Sequence, residues 1–120
     1  MMKQYTTDDQ TAKLIGLGFE KPKNTRYVQR AKARNLHSPF IEFGEPEFEG
    51  SYSIGELIEM LPEEIPSDMI PEGLEIYVDH YKIWTVSYCN VFGELYNTYS
   101  GELVDALYDM IIKLKEKCVI

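Results

Sequence analysis

Two histidines, His37 and His80, and two cysteines, Cys89 and Cys118, are the only imidazoles and thiols from which nucleophilic or zinc chemistry could be built. A hydrolytic constellation needs a nucleophile, a base and an orienting acid within reach of one another. Neither histidine stands in a nucleophile motif such as GxSxG; His37 follows a basic block and His80 falls between two strand-like runs, so both read as surface or turn residues. A small enzyme with a site near His80 and its acidic neighbours is the weakest of the functional readings. Zinc needs four ligands at recognisable spacing, and the cysteines share no CxxC pattern. They read as free, buried thiols of a reducing cytoplasm. Glu63, Glu64, Asp68 and Glu72 could offer oxygen to a divalent cation, but they do not follow an EF-hand loop and read as a solvated acidic loop. Gly16-Leu17-Gly18 closes a helix, whereas a dinucleotide fingerprint follows a strand and opens one. The sequence therefore assigns no catalytic residue, no metal ligand and no cofactor.

Binding chemistry is better represented. Lys21, Lys23, Arg26, Arg30, Lys32 and Arg34 fall within residues 21–37 with no acid among them, a local charge of +6 in a chain whose formal charge is −8. Residues 38–110 hold sixteen acids against one base, Lys82. A basic cluster of this kind marks contact with phosphate or with an acidic partner. The plainer alternative is that it folds against the protein's own acidic bulk. The long acidic block would repel a duplex backbone over distances within a Debye length, so simple duplex binding is disfavoured. Nine tyrosines and one tryptophan supply a second candidate surface. Tyr77, Tyr81, Trp84 and Tyr88 lie in a hairpin-like stretch, where alternation must turn some aromatics away from the helices. Tyrosine is enriched at protein contacts because it covers area at little entropic cost and keeps a polar end. Filling the core and rim of a sheet is the competing role.

The elements that must position these residues are partly legible. Thr7-Asp8-Asp9-Gln10 has the form of a capping box, and Gly18 followed by Phe19 suits a left-handed stop, which predicts a helix over 8–17. Ser53-Ile54-Gly55-Glu56 is a second capping box, with Tyr52 and Leu57 placed as a hydrophobic staple and Leu57, Ile58 and Leu61 expected to face inward before Pro62. Residues 26–34 fit a short basic helix or a strand equally well. Residues 40–43 read as a short strand, and Glu45 to Gly50 as an acidic loop. Alternation predicts strands over 74–79 and 82–89 joined through Asp79-His80-Tyr81-Lys82. A third strand is needed for stability, from residues 40–43 or 91–96. Leu103, Leu107, Met110, Ile111, Leu114 and Cys118 form the apolar stripe of a last helix from Gly101 to about Lys117, capped by Ser100. The echo between residues 55–61 and 101–107 reflects two helix starts that obey the same capping chemistry.

These elements define one α+β domain over residues 1–120: about three helices packed on a small antiparallel sheet of three to four strands. At 44% hydrophobic and 27% charged residues, the composition is that of an ordinary globular chain. No apolar run approaches the ~20 residues a bilayer requires, and no apolar stretch follows the N-terminal lysine as in a secretory signal. The run Tyr52 to Pro62 and the run Glu102 to Lys117 are similar to segments of uncharacterised small acidic proteins of phages and mobile elements of gut bacteria. That resemblance implies a phage or prophage setting in a bacterial cytoplasm; it carries no activity. The expected function is a non-enzymatic accessory protein that acts by binding another macromolecule, a protein partner before a nucleic acid, with no membrane contact and with self-association left open. The alternative is nucleic-acid contact through the basic segment 21–37.

Overall fold

The computed structural model describes residues 2–28, 31–33, 41–43, 47–66, 71–91 and 93–120. Helix α1 spans Asp8–Gly16. The Thr7 hydroxyl accepts the Gln10 N–H at 3.2 Å and the Gln10 side chain accepts the Thr7 N–H at 3.0 Å, which completes the capping box. Gly18 takes φ +100°, and the N–H groups of Gly18 and Phe19 donate back to Ile15 and Leu14 at 3.0 and 3.2 Å, a Schellman closure. Helix α2 is shorter, Ile54–Met60, with Ser53 and Glu56 in the same reciprocal cap. Tyr52, just before the cap, and Leu57, four residues after it, are both buried as the staple requires, but Ile58 is 37% exposed. The inward stripe of this helix is Leu57 and Leu61; Ile58 follows Leu57 by one position, about 100° round the helix, and so leaves the buried face.

The starts of α1 and α2 are knitted together. Thr6 and Tyr52 exchange hydrogen bonds, with the Thr6 N–H on the Tyr52 carbonyl at 3.0 Å and the Tyr52 N–H on the Thr6 hydroxyl at 2.9 Å. That hydroxyl lies 2.7 Å from Thr11, whose own hydroxyl donates to the Thr7 carbonyl at 2.8 Å. Both threonines are buried, and the chain of donors leaves neither hydroxyl unsatisfied.

Four further strands form the main sheet: β5 (Glu64–Ile65), β6 (Glu72–Val78), β7 (Trp84–Asn90) and β8 (Gly93–Ser100), antiparallel throughout and ordered β5-β6-β7-β8. Helix α3, Leu103–Glu116, follows. The fold is α+β, three helices with a four-stranded antiparallel sheet, as the sequence leads one to expect. The third strand is β8, which runs on to Ser100. The last helix therefore begins at Leu103, with Glu102 rather than Ser100 at its N-cap; the Ser100 hydroxyl still accepts the Glu102 N–H at 3.2 Å. Leu103, Leu107, Met110, Ile111 and Leu114 are buried, joined by Val104 and Ala106, whereas Cys118 lies past the helix end at φ 58° and is exposed. The apolar stripe ends at Leu114.

The remaining strands form two separate two-stranded pairings, together termed the ribbon. Strands β1 (Arg26–Val28) and β4 (Glu47–Glu49) pair antiparallel, as do β2 (Ala31–Ala33) and β3 (Ile41–Phe43). The basic segment thus adopts the strand alternative, and residues 47–49, expected as loop, are its pairing partner. The two pairings are nested, Arg26 opposite Glu49 at one end and Ala33 opposite Ile41 at the other. The molecule measures 70 × 32 × 19 Å, with a radius of gyration of 19.4 Å, against about 14 Å for a compact chain of this length.

Candidate functional site: the open face of the sheet

Strand alternation sorts the sheet into two faces. On one, Ile76, Val86 and Thr98 stand in a row across β6, β7 and β8, beside the row Leu74, Tyr88 and Tyr96. Val86 and Tyr88 belong to the same buried cluster as Leu14 of α1, Leu57 of α2 and the stripe of α3. The Thr98 hydroxyl donates to the Ala106 carbonyl of α3 at 2.8 Å. Helix α3 packs on this face against β7 and β8, and α2 packs against α3.

The opposite face carries the rows Tyr77, Thr85, Tyr99 and Glu75, Ser87, Asn97. Among the described residues no helix packs on it. Tyr77 and Tyr99 are 44% and 57% exposed, while Thr85 between them is buried. A small residue on the central strand is hidden by larger neighbours on either side even where no second layer exists. Ser87 is fully buried in the same way, and its hydroxyl takes no hydrogen bond among the described residues. The Cys89 thiol lies beside it and beside the Glu75 carboxylate. Burial and then the Glu75 carboxylate push that thiol up from its ordinary range, which keeps it protonated and a poor nucleophile.

The sequence candidates separate on this framework. Tyr77 lies on the open face. Tyr81 is 75% exposed in the β6–β7 turn, its ring centroid 4.0 Å from that of His80. Trp84 and Tyr88 lie elsewhere, and Tyr88 is a correction. Period two puts both on the helix face; Tyr88 is fully buried, its hydroxyl donating to the Pro62 carbonyl at 2.6 Å, so it belongs to the core and offers no contact surface. Trp84 is half-buried against the same core and lines a concavity with Met2, Val78 and Lys82. Tyr99 was missed as a site residue because the strand that carries it was expected to end earlier. The pairing of β8 with Tyr77's neighbour Thr85 brings it there.

The basic segment is largely engaged with the chain's own acids where it is described. Arg26 pairs with Glu49 at 3.1 Å and Lys23 with Glu59 at 3.4 Å. The Lys21 ammonium donates to the Tyr27 hydroxyl at 2.9 Å and lies 5.1 Å from that ring's centroid. Lys32 stands opposite Glu42 in register. Arg30 and Arg34 lie outside the described residues, as do His37 and Asp68. Of the acids expected to form a solvated loop, Glu64 is in β5 and exposed. Glu72 opens β6 and is buried, one carboxylate oxygen accepting from the Asn90 amide at 3.0 Å and the other without a partner among the described residues. The thiols are free, as expected, but not buried: Cys89 is half-buried and Cys118 exposed. Among the described residues no group of three or more His, Cys, Asp or Glu could hold a metal ion, and no helix is long and apolar enough to cross a membrane.

Compared with models of protein families, with curated proteins and with solved structures, the chain matches none.

Proposed function

We propose that this chain is a non-catalytic accessory protein that acts by holding another macromolecule against the open face of its sheet. The observation that carries this reading is the pair of half-exposed tyrosines, Tyr77 and Tyr99, on a sheet face that no helix covers. Exposed aromatics on a rigid sheet are costly to leave in water and well suited to contact. The phage or mobile-element setting is part of the same proposal and rests on the resemblance of residues 52–62 and 102–117. A bacterial cytoplasm is the compartment it entails.

The nucleic-acid alternative draws less support. Arg26 and Lys23 already hold carboxylates of this chain, and phosphate contact would have to displace them. The open face itself carries the exposed carboxylate of Glu75.

The experiment is a pull-down from bacterial lysate with wild type and a Tyr77→Ser/Tyr99→Ser double variant, at low and at physiological salt. Proteins retained by wild type and lost by the double variant are expected. Identical retention by both, or none above background, overturns the reading.

A further inference from the structure

We infer that the macromolecule held on this face is a protein presenting an arginine-rich cationic segment, and that Tyr77 and Tyr99 grip a guanidinium between them. This rests on the proposed binding face and specifies its occupant. Tyr77 and Tyr99 stand on the two strands that flank β7, opposite Thr85 on either side. Two strand spacings set their Cα atoms about 10 Å apart. That leaves room for one flat group in contact with two ring faces, and guanidinium is the side-chain cation that is planar and stacks on aromatic rings.

Charge argues in the same direction. Glu75 is exposed on the open face, one row from Tyr77. A carboxylate beside two rings selects a cation and disfavours a phosphate backbone. A second copy of this chain is the less suitable occupant, because Arg26, the one arginine among the described residues, is held by Glu49.

The test titrates the full chain with labelled deca-arginine, deca-lysine and deca-glutamate peptides by fluorescence anisotropy, alongside sedimentation of the protein alone. The arginine peptide is expected to bind more tightly than lysine and glutamate not at all. Tyr77→Leu and Tyr99→Leu are each expected to weaken arginine binding about two- to five-fold and to erase the preference over lysine. Glu75→Gln is expected to weaken both cationic peptides and flatten the salt dependence. Equal binding of arginine and lysine, unaffected by either tyrosine change, overturns the guanidinium slot. Failure of both peptides, with lysate capture still dependent on Tyr77 and Tyr99, overturns the cationic occupant and leaves the binding face standing. Concentration-dependent dimerisation that Tyr99→Leu abolishes overturns the inference in favour of a second copy.

Discussion

At the scale of single residues, two positions make stability depend on details that the sequence pattern does not display. Lys82 closes the β6–β7 turn at φ 62°, its N–H on the Asp79 carbonyl at 3.0 Å, while the Asp79 carboxylate accepts the N–H groups of Tyr81 and Ile83. A side chain with a Cβ is strained in that region. Lys82→Gly is expected to raise stability by about 0.5–1 kcal/mol in urea unfolding, even though it removes the one base of the hairpin. The second position is Tyr88, whose phenol burial holds above its ordinary range. The unfolded chain gives up that proton near the ordinary value of 10.0 while the folded chain keeps it. Stability is therefore whole below that pH and falls as pH rises above it. Burial, and after it the Glu56 carboxylate, moves Tyr52 the same way. The expected outcome is an alkaline limb in the denaturant midpoint that Tyr88→Phe makes shallower, at the cost of the hydrogen bond to Pro62. At the acid end, burial opposes the Asp105 carboxylate but hydrogen bonds from Lys3 and Gln10 outweigh it and hold the group below its usual range. That contribution is present above the unfolded value of 3.8 and is lost as pH falls through the lower, folded one.

At the scale of elements, the long helix decides the core. Leu107 is fully buried in α3, and Leu107→Ala is expected to cost about 2–5 kcal/mol by chemical denaturation. What the sequence made legible is what local chemistry dictates: both capping boxes, the Gly18 stop, the β6–β7 hairpin and the stripe of α3. What it hid depends on pairing at a distance. Nothing local in Glu47–Glu49 announces a strand; those residues are extended because Arg26–Val28 lies alongside. Ser100 looks like a helix cap because its hydroxyl does accept the Glu102 N–H, yet its backbone is claimed by Trp84 across the sheet. The open-face site was half visible for the same reason. Tyr77 follows from alternation, whereas Tyr99 depends on the register of β8. That strand also protects its free edge. Leu95 is an extra residue between the pairs Cys89–Glu94 and Tyr88–Tyr96, and Lys113 of α3 places its ammonium 2.8 Å from the Asn97 carbonyl. A bulge and a lysine are both devices that discourage a foreign strand from adding there, which is why contact is argued for the face and not the edge.

At the scale of the whole molecule, the body and the ribbon are separable in their energetics. The buried cluster and the residues packed on it come from residues 2–19, 52–65, 74–88, 96–114 and the last two positions. Within the ribbon, Tyr27 is 67% exposed. Replacing residues 26–49 by a short Gly-Ser linker is therefore expected to leave a cooperatively unfolding body, with the near-ultraviolet signal of Trp84 retained. Loss of cooperative unfolding would show that the ribbon contributes to the core. The same cluster has a consequence for biosynthesis. Seven of the fourteen buried apolar residues among the described ones, from Leu103 to Leu114, sit on the final helix. The nascent sheet emerges from the ribosome with its inner face still waiting for a helix that is made after it. Closure must await the emergence of residues 103–114, and a frameshift or stop even slightly upstream of residue 103 would yield a product with a naked hydrophobic layer, fit for proteolysis and not for assembly.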